Sequence, residues 1–315
     1  MAKVLVTGGA GFVGSHLCDL LIQNGYEVVV IDNLITGSKK NIEHLLNNPN
    51  FEFIESDITS NSINQLIDTS VNFIFHLASP ASPVHYQNFP LETLLVNSKG
   101  TVNMLALSRD SKAKILIAST SEVYGDPLEH PQKETYRGNV NSFGPRACYD
   151  ESKRFAEAAT YVYLKKYDID ARIVRIFNTY GPRMQKDDGR VISNFINWAI
   201  EEKDIKIDGD GSQTRSFCYV SDMVAGLYKA MFGGNTKGEI FNLGNPNEFT
   251  IMDLAKKVIK LTNTTSQIVT SENFREDDPM QRCPDISKAK KVLSWEPKVD
   301  LDEGLFRTIK FYKDF

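Results

Sequence analysis

The chain has 315 residues, of which 41% are hydrophobic and 24% are charged, and its formal net charge is −4. This composition is typical of a globular protein with a substantial core and enough length for two domains. The acidic balance gives no electrostatic basis for binding nucleic acid, and no apolar run reaches the roughly 18 residues of a membrane span. We therefore expect a cytoplasmic protein with neither nucleic acid nor a membrane among its partners.

The cysteines and histidines show no metal-ligand spacing. Cys18, Cys148, Cys218 and Cys283 are scattered without a C-x-x-C pair, and the five histidines form no pair at helical spacing. Scattered thiols are typical of a reducing compartment and argue against a disulfide framework. The sequence therefore predicts no metal site.

A glycine-rich loop follows the first predicted strand. The apolar run Lys3–Thr7 predicts a buried strand, and an amphipathic run over residues 15–24 predicts a helix. Between them Gly8, Gly11 and Gly14 have the spacing G-x-x-G-x-x-G, which resembles the short-chain dehydrogenase superfamily. Glycines permit a tight turn and let the backbone approach a pyrophosphate, whose charge rests on the helix N-terminus. The order of strand, loop and helix is that of a dinucleotide-binding unit.

Asp32 follows the second predicted strand, residues 27–31. An acidic residue at this point accepts hydrogen bonds from both hydroxyls of a ribose and repels a 2′-phosphate. Asp32 therefore favours NAD over NADP. Without these neighbours, the loop would be an ordinary glycine-rich loop.

Predicted strands and helices alternate as far as about residue 180. Further apolar strands are predicted at residues 51–54, 73–77, 114–118 and Ala171–Ile176, with helical stretches such as residues 91–109 between them. This alternation predicts an α/β fold with a doubly wound parallel Rossmann sheet.

Prolines break the last third of the chain into shorter elements, with helices predicted at residues 191–202 and 251–261. We interpret this part as a smaller C-terminal substrate-binding lobe. Within this third of the chain, residues 217–232 predict a strand end and a helix that return to the sheet. The predicted division is a cofactor-binding domain over residues 1–180 with 217–244 returning to it, and a lobe formed by 181–216 and 245–315.

Polar side chains follow the strand predicted at residues 114–118. In open α/β sheets ligands bind beyond the carboxyl ends of the strands, so Thr120 and Glu122 are expected to face the site. A hydroxyl can orient a ligand oxygen, and a carboxylate can move a proton. The alternative is that these residues satisfy backbone groups of a turn before Gly125.

Tyr149 and Lys153 lie four residues apart at the start of a helix predicted over residues 149–166. This spacing places both side chains on one helix face. A neighbouring ammonium favours the phenolate and lowers a tyrosine pKa from its usual value near 10. The pair is therefore a candidate general base, the alternative being an ordinary Tyr and Lys on a half-exposed helix.

Several longer tracts resemble an extended short-chain dehydrogenase that acts on nucleotide sugars, most closely the UDP-glucuronate decarboxylases, also called UDP-xylose synthases. The two most specific tracts are HLASPASP, which begins at His76, and GPRACYDE, which begins at Gly144. The other matching tracts are residues 119–127, 176–184, 188–191 and 213–217.

The resemblance implies a role for each candidate catalytic residue. Thr120 and Tyr149 would bind the sugar C4 hydroxyl, and Tyr149 would take its proton while a hydride leaves for NAD. Lys153 would hold the nicotinamide ribose, Glu122 would be an acid or base near C5, and Arg282 would serve the carboxylate step. Oxidation at C4 makes a β-keto acid, which loses carbon dioxide without a metal. Hydride return would give UDP-xylose.

The same resemblance implies binding residues. For NAD they are Gly8, Gly11, Phe12, Val13, Gly14, Asp32, Asn33, Asp57, Ile58, Leu77, Ala78, Ser79, Tyr149 and Lys153. For UDP-glucuronate they are Tyr86, Asn178, Arg190, Asn194, Arg215 and Arg282. Two phosphates need cations or backbone donors, which suits Arg215. Each Arg or Asn taken alone could equally be a surface ion pair or a helix cap.

Two positions depart from the family pattern. Leu95 stands where many members have lysine, and Arg137 stands where they have tryptophan. Loss of the lysine would weaken contacts to a carboxylate or phosphate. Our hypothesis is that Arg137 compensates for it.

Three other functions would use many of the same residues. A UDP-hexose 4-epimerase needs Tyr149, Lys153 and NAD but does not need Glu122. A nucleotide-sugar 4,6-dehydratase pairs an aspartate with that glutamate, whereas this chain has Ser121. A non-catalytic NAD-sensing module with a protein partner commonly loses the Tyr and Lys that are present here.

The helices predicted at residues 91–109 and 149–166 both carry apolar stripes. They resemble the pair that forms a four-helix interface between two subunits in this superfamily. The sequence therefore predicts a homodimer, the alternative being burial of both stripes within one subunit.

Overall fold

The computed structural model describes residues 1–67, 70–271 and 281–314. No helix in these ranges is both long enough and apolar enough to cross a bilayer. The strands are β1 (Lys3–Thr7), β2 (Glu27–Asp32), β3 (Phe51–Glu55), β4 (Phe73–His76), β5 (Lys114–Thr120), β6 (Ala171–Ile176), β7 (Thr179–Tyr180), β8 (Ile205–Asp208), β9 (Thr214–Ser216), β10 (Cys218–Tyr219), β11 (Ile240–Leu243), β12 (Glu248–Thr250), β13 (Ile268–Ser271) and β14 (Gln281–Arg282). The helices are α1 (Phe12–Gln23), α2 (Ile63–Leu66), α3 (Pro83–Asn88), α4 (Pro90–Leu95), α5 (Thr101–Ser111), α6 (Ala147–Tyr167), α7 (Val191–Ile200), α8 (Val220–Phe232), α9 (Ile251–Thr262), α10 (Ser287–Leu293) and α11 (Leu301–Asp314).

A parallel sheet forms the centre of the described structure, with seven strands in the order β11, β6, β5, β4, β1, β2, β3. The chain proceeds from β1 to β3 in one direction and then crosses back to place β4 on the other side of β1. The strand order therefore reverses between β1 and β4, which is where such sheets bind ligands. The predicted doubly wound α/β fold is confirmed.

The core consists of two layers, one on each face of the sheet. Side chains alternate along a strand, so Val4 and Val6 lie in one hydrophobic cluster while Leu5 lies in the other. Helices α1 and α8 cover the first face, and α5 and α6 cover the second. Because both faces are covered, the strands are nearly continuous apolar runs, as the sequence shows.

The C-terminal third contributes both to the sheet and to smaller structures beyond it. Segment 217–244 carries α8 and β11, and β11 pairs with β6 so that Ile240 lies opposite Ile173. Outside the sheet, β9 lies between β12 and β14, and β13 pairs with β8. These smaller sheets and helices α7 and α9 belong to the predicted lobe, whose boundaries stay a prediction.

The prediction of a continuous helix at residues 91–109 is wrong in one respect. The structure has α4, then a π-helical turn over Val96–Gly100, and then α5. Within this turn Asn97 is buried, and its side chain donates hydrogen bonds to Ser79 Oγ at 3.0 Å and Ser152 Oγ at 3.1 Å. A π turn changes the direction of a side chain and is frequent near functional sites. Here it turns Asn97 towards the loop after β4.

Candidate active site

A cavity of about 530 Å³ lies at the carboxyl edge of the sheet, within the size range of small-molecule sites. Five strands present residues to it directly: Gly8 follows β1, Asp32 ends β2, Asp57 follows β3, Ala78 follows β4 and Thr120 ends β5. All the predicted catalytic, cofactor and substrate residues line this cavity. The structure therefore brings them together, while their individual roles stay predictions.

The glycine loop after β1 leaves room for a close ligand. Gly8 has a φ of +74°, and a Cβ there would lie 2.7 Å from Ala78 Cα. A Cβ on Gly14 would lie 2.2 Å from the Gly8 carbonyl oxygen. Helix α1 begins at Phe12, three residues earlier than predicted, so the amides of Phe12 and Val13 are in its first turn, where no helical acceptors exist. These donors and this space fit a pyrophosphate.

Asp32 is held in a fixed orientation at the end of β2. Its two carboxylate oxygens accept hydrogen bonds from the backbone N–H of Ala10 at 3.0 Å and of Leu34 at 2.9 Å. Burial raises the pKa of Asp32, and these two hydrogen bonds act in the opposite direction. A fixed carboxylate beside the glycine loop fits a ribose with free hydroxyls. The donor set in this half of the cavity therefore fits NAD.

Tyr149 and Lys153 lie on α6, and both are buried. Lys153 Nζ donates a hydrogen bond to the Ala118 carbonyl at 2.9 Å and lies 5.8 Å from the centre of the Tyr149 ring. Burial lowers the pKa of Lys153 to about 7. Burial also raises the pKa of Tyr149, and a hydrogen bond with Thr120 only partly opposes this effect. Burial is the largest cause of this shift, so the pKa of Tyr149 is raised here, whereas the sequence analysis expected Lys153 to lower it.

The ring of Tyr86 stacks on that of Tyr149, with 5.0 Å between the ring centres and an angle of 7° between the planes. Tyr86 is 1% exposed, and its hydroxyl has no hydrogen-bond partner among the described residues. A buried hydroxyl without a partner is costly unless a ligand satisfies it. Its place in the cavity therefore suits the ligand contact predicted for Tyr86.

Glu122 lies between two arginines from distant segments. Arg146 Nη2 donates to one carboxylate oxygen at 2.6 Å, and Arg282 Nη1 donates to the other. Burial alone would raise the pKa of Glu122, but the charges of Arg282 and Arg146 lower it to about 2. Glu122 is therefore ionised at neutral pH. In this state it can accept a proton, and it becomes an acid only after doing so.

Arg146 is a site residue that sequence reasoning missed. It is almost completely buried and lines the cavity immediately before α6. The sequence did contain a signal for this residue, because Arg146 lies within the specific tract that begins at Gly144. The sequence analysis gave Arg146 no role. A buried arginine needs a carboxylate partner, but its sequence position does not identify that partner.

Asp150 is a second carboxyl group that the sequence analysis missed. It is buried, and its Oδ1 has no hydrogen-bond partner among the described residues. Burial, reinforced by repulsion from Glu122, raises the pKa of Asp150 to about 8. At neutral pH this side chain is therefore mostly a neutral carboxylic acid next to an ionised glutamate.

The predicted lobe supplies several of the predicted contacts to a nucleotide sugar, and these residues line the cavity. Arg190 forms a two-point ion pair with Asp188 at 2.5 and 2.8 Å. Asn194, on α7, donates to the Gly189 carbonyl at 3.1 Å. Arg215, on β9, is buried and donates to the Thr214 carbonyl at 2.8 Å. Asn178, which follows β6, also lines the cavity.

The two positions that depart from the family pattern have different surroundings. Leu95 lines the cavity and is 50% exposed. Arg137 is exposed and is not among the described residues that line the cavity; its carbonyl accepts a hydrogen bond from Arg154 at 2.9 Å. The hypothesis that Arg137 replaces the missing lysine therefore has no support from its position.

Comparisons with known proteins agree with this geometry. The sequence model of the family described as GDP-mannose 4,6 dehydratase matches residues 5–308. UDP-glucuronic acid decarboxylase 1 of Arabidopsis thaliana is 53% identical over 99% of this chain and 70% of its own length. The Xenopus tropicalis protein of the same name is 49% identical over 99% of this chain and 72% of its own length. The solved structure of a Bacillus cereus UDP-glucuronic acid 4-epimerase with UDP-glucuronic acid and NAD has a TM-score of 0.90 and 31% identity, covering 99% of both chains.

Proposed function

This chain belongs to the UDP-glucuronic acid decarboxylase family, within the extended short-chain dehydrogenase superfamily, and on that premise we propose that it is an NAD-dependent carboxy-lyase. Its substrate is UDP-glucuronate, and its products are UDP-xylose and carbon dioxide. Decarboxylases of this name are about half identical to the chain over nearly its full length, whereas the 4-epimerase is 31% identical.

The observation that carries the proposal is the position of Arg282 in the same cavity as Thr120 and Tyr149. Arg282 is 4% exposed, and its Nε has no hydrogen-bond partner among the described residues. A guanidinium is the preferred partner of a carboxylate because it offers parallel N–H donors. A sugar that carries a carboxylate at C5 and a hydroxyl at C4 presents complementary groups to these three residues.

Bound NAD would supply a hydride acceptor and donor for the sugar C4. The glycine loop and Asp32 would hold it, and Lys153 would reach its nicotinamide ribose. The positive charges of Lys153 and of a bound nicotinamide ring would favour the Tyr149 phenolate against the effect of burial. As the phenolate, Tyr149 takes the C4 hydroxyl proton, with Thr120 hydrogen-bonded to the same oxygen. The lowered pKa of Lys153, about 7, makes its charge responsive to the charge that develops beside it.

Loss of carbon dioxide follows from the C4 ketone. The bond between C5 and the carboxylate breaks, and its electron pair moves into the ketone to give an enolate. Arg282 holds the departing carboxylate, while Glu122, fixed by Arg146, keeps that guanidinium in place. A proton from solvent then adds to C5, where it replaces the carboxylate. The hydride would come back to C4 from bound NAD, and the Tyr149 proton returns to the C4 oxygen, which completes UDP-xylose.

Incubation of the full chain with UDP-glucuronate and NAD, followed by mass spectrometry of the nucleotide sugar, tests the proposal. We expect the mass to fall by that of carbon dioxide. An unchanged mass with altered chromatographic retention would instead identify a 4-epimerase, and loss of water would identify a 4,6-dehydratase. No reaction at all would favour the alternative of an NAD-binding module without catalytic activity. Each of these three results would refute decarboxylation.

We also propose that the chain forms a homodimer through α4, α6 and the π turn between α4 and α5. Three leucines of α4, Leu91, Leu94 and Leu95, are exposed, and so are Phe155 and Tyr161 on α6. Exposed apolar patches of this kind mark interfaces. Sedimentation should give a dimer that Phe155→Asp dissociates, whereas Phe306→Asp, at another exposed phenylalanine, should not. A monomeric wild-type chain would refute this assembly.

A further inference from the structure

A second group of reactive side chains lies outside the set of residues that line the cavity. His130 belongs to the segment between β5 and α6, Glu248 begins β12, and Cys283 follows β14. One ligand atom from each residue, an imidazole nitrogen, a carboxylate oxygen and the thiol sulfur, lies within 4.8 Å of the other two. None of the three is among the described residues that line the active-site cavity. We call this group the HEC cluster.

The small sheet explains why these distant residues meet. β9 lies between β12 and β14, and Glu248 is opposite Ser216 in the register of β9. On the other side Arg282 is opposite Arg215, so Cys283 comes next at the same end of the sheet. Hydrogen-bonded strands of the small sheet therefore hold Glu248 and Cys283 in place.

Specific hydrogen bonds fix the loop and the carboxylate. The Gln132 N–H donates to the Cys283 carbonyl at 2.9 Å, and the Cys283 N–H donates to Gln132 Oε1 at 2.9 Å. His130 Nε2 lies 2.9 Å from Glu248 Oε2, while Thr214 Oγ1 donates to Glu248 Oε1 at 2.7 Å. An outer hydrogen bond that orients a carboxylate is typical of metal ligands.

We propose that the HEC cluster binds a zinc ion through His130 Nε2, a Glu248 carboxylate oxygen and Cys283 Sγ. Nitrogen, oxygen and sulfur donors together suit zinc, which accepts all three. Tetrahedral zinc with bonds of about 2.0 to 2.3 Å has donor atoms roughly 3.3 to 3.8 Å apart, so small side-chain movements suffice. His130 is exposed and Cys283 is buried. Three protein ligands leave the fourth position of a tetrahedral zinc ion to water.

The pair of His44 and Asp19 offers a matched comparison. Its imidazole Nε2 lies 2.6 Å from a carboxylate oxygen, as in the HEC cluster, and it is not part of any group of three candidate ligands among the described residues. The presence of the Cys283 thiol is what separates a zinc site from an ordinary ion pair. The two pairs should therefore differ in zinc binding.

Zinc titration of the chelator-treated full chain, in competition with a chromophoric chelator, tests the site. We expect about one zinc per chain, and roughly 100-fold or greater loss of affinity in His130→Ala and in Cys283→Ser. His44→Ala should bind zinc like the wild type. Replacement of zinc by cobalt should give sulfur-to-metal charge-transfer absorption that Cys283→Ser abolishes.

Absence of zinc uptake, or uptake that neither substitution weakens, would overturn the proposal. Thermal unfolding of each variant in chelator checks that the fold is intact. If Cys283→Ser fails to fold, His130→Ala decides the question, because the His130 side chain is exposed. Metal binding is measured without substrate, so the result does not depend on whether the chain decarboxylates UDP-glucuronate.

Discussion

The cavity contains two buried charged regions that are stabilised in opposite ways. Glu122 lies between Arg146 and Arg282, and the two guanidinium groups lower its pKa to about 2 in spite of its burial. Lys153 is more deeply buried, but it donates to a neutral carbonyl, and burial lowers its pKa to about 7. The charge on Glu122 is therefore fixed at physiological pH, whereas the charge on Lys153 is balanced between two states.

This difference corresponds to two chemical tasks. A fixed ion-pair cluster positions a carboxylate-bearing ligand and does not need to change its charge. A pair that exchanges a proton works best when a pKa lies near the operating pH. The ion-pair cluster at Glu122 thus serves ligand binding, whereas Tyr149 and Lys153 serve proton transfer. Substitutions in the two regions should therefore have different measurable effects.

The largest expected effect is that of Tyr149→Phe. Phenylalanine keeps the stacking on Tyr86 but removes the proton acceptor, so kcat should fall by roughly 10² to 10⁴-fold while the affinity for UDP-glucuronate changes little. Steady-state kinetics and equilibrium binding measure the two quantities. Tyr161→Phe, at an exposed tyrosine on the same helix, is the control and should be fully active. Undiminished turnover in Tyr149→Phe would refute the catalytic role of Tyr149.

Arg282→Gln tests the fixed cluster. It removes one of the two partners of a mostly buried carboxylate, so the unfolding free energy should fall, by less than the roughly 3 to 5 kcal/mol of a buried charge left with no partner. Denaturant unfolding measures the loss. Glu122 keeps Arg146 as a partner in this variant, so the double variant Arg146→Gln with Arg282→Gln should lose more stability than Arg282→Gln alone, because Glu122 then has neither partner. A double variant as stable as Arg282→Gln would contradict the assigned role of the ion pairs.

The raised pKa of Asp150 predicts how the stability of the protein changes with pH. Its folded-state pKa of about 8 exceeds the unfolded value of about 3.9, so the native chain holds a proton that the unfolded chain has released. The unfolding free energy should therefore fall as pH rises from about 4 to 8. Asp150→Asn should flatten this slope in denaturant unfolding across that window. An unchanged slope would show that Asp150 is not the titrating group.

Lys153 should give a change of opposite sign over a narrower range of pH, and therefore a smaller total change. Its folded-state pKa of about 7 lies below the unfolded value of about 10.4, so the unfolded chain binds the extra proton in this window. The unfolding free energy should rise as pH increases from about 7 to 10. Lys153→Met, measured by the same unfolding series, should remove the rise. A rise that persists in this variant would assign it to other groups.

Sequence patterns predicted the local parts of this molecule well. The glycine loop, Asp32 and the pair Tyr149 and Lys153 each depend on residues a few positions apart, and the structure has them where the pattern placed them. The fold class followed from the alternation of apolar segments, whereas the order of the strands came from the structure. The helix at residues 91–109 was predicted less well, because the π turn arises from contacts of Asn97 with Ser79 and Ser152.

Tertiary structure alone decided which charges meet. Glu122 is separated from Arg146 by 24 residues and from Arg282 by 160. The neutral acid at Asp150 and the meeting of His130, Glu248 and Cys283 likewise have no local signature. The sequence by itself determined backbone conformation and the spacing of side chains along one helix or loop, because those depend on neighbouring residues. The protonation states and the ion-pair partners depend on burial and distance in three dimensions, which only the folded chain defines.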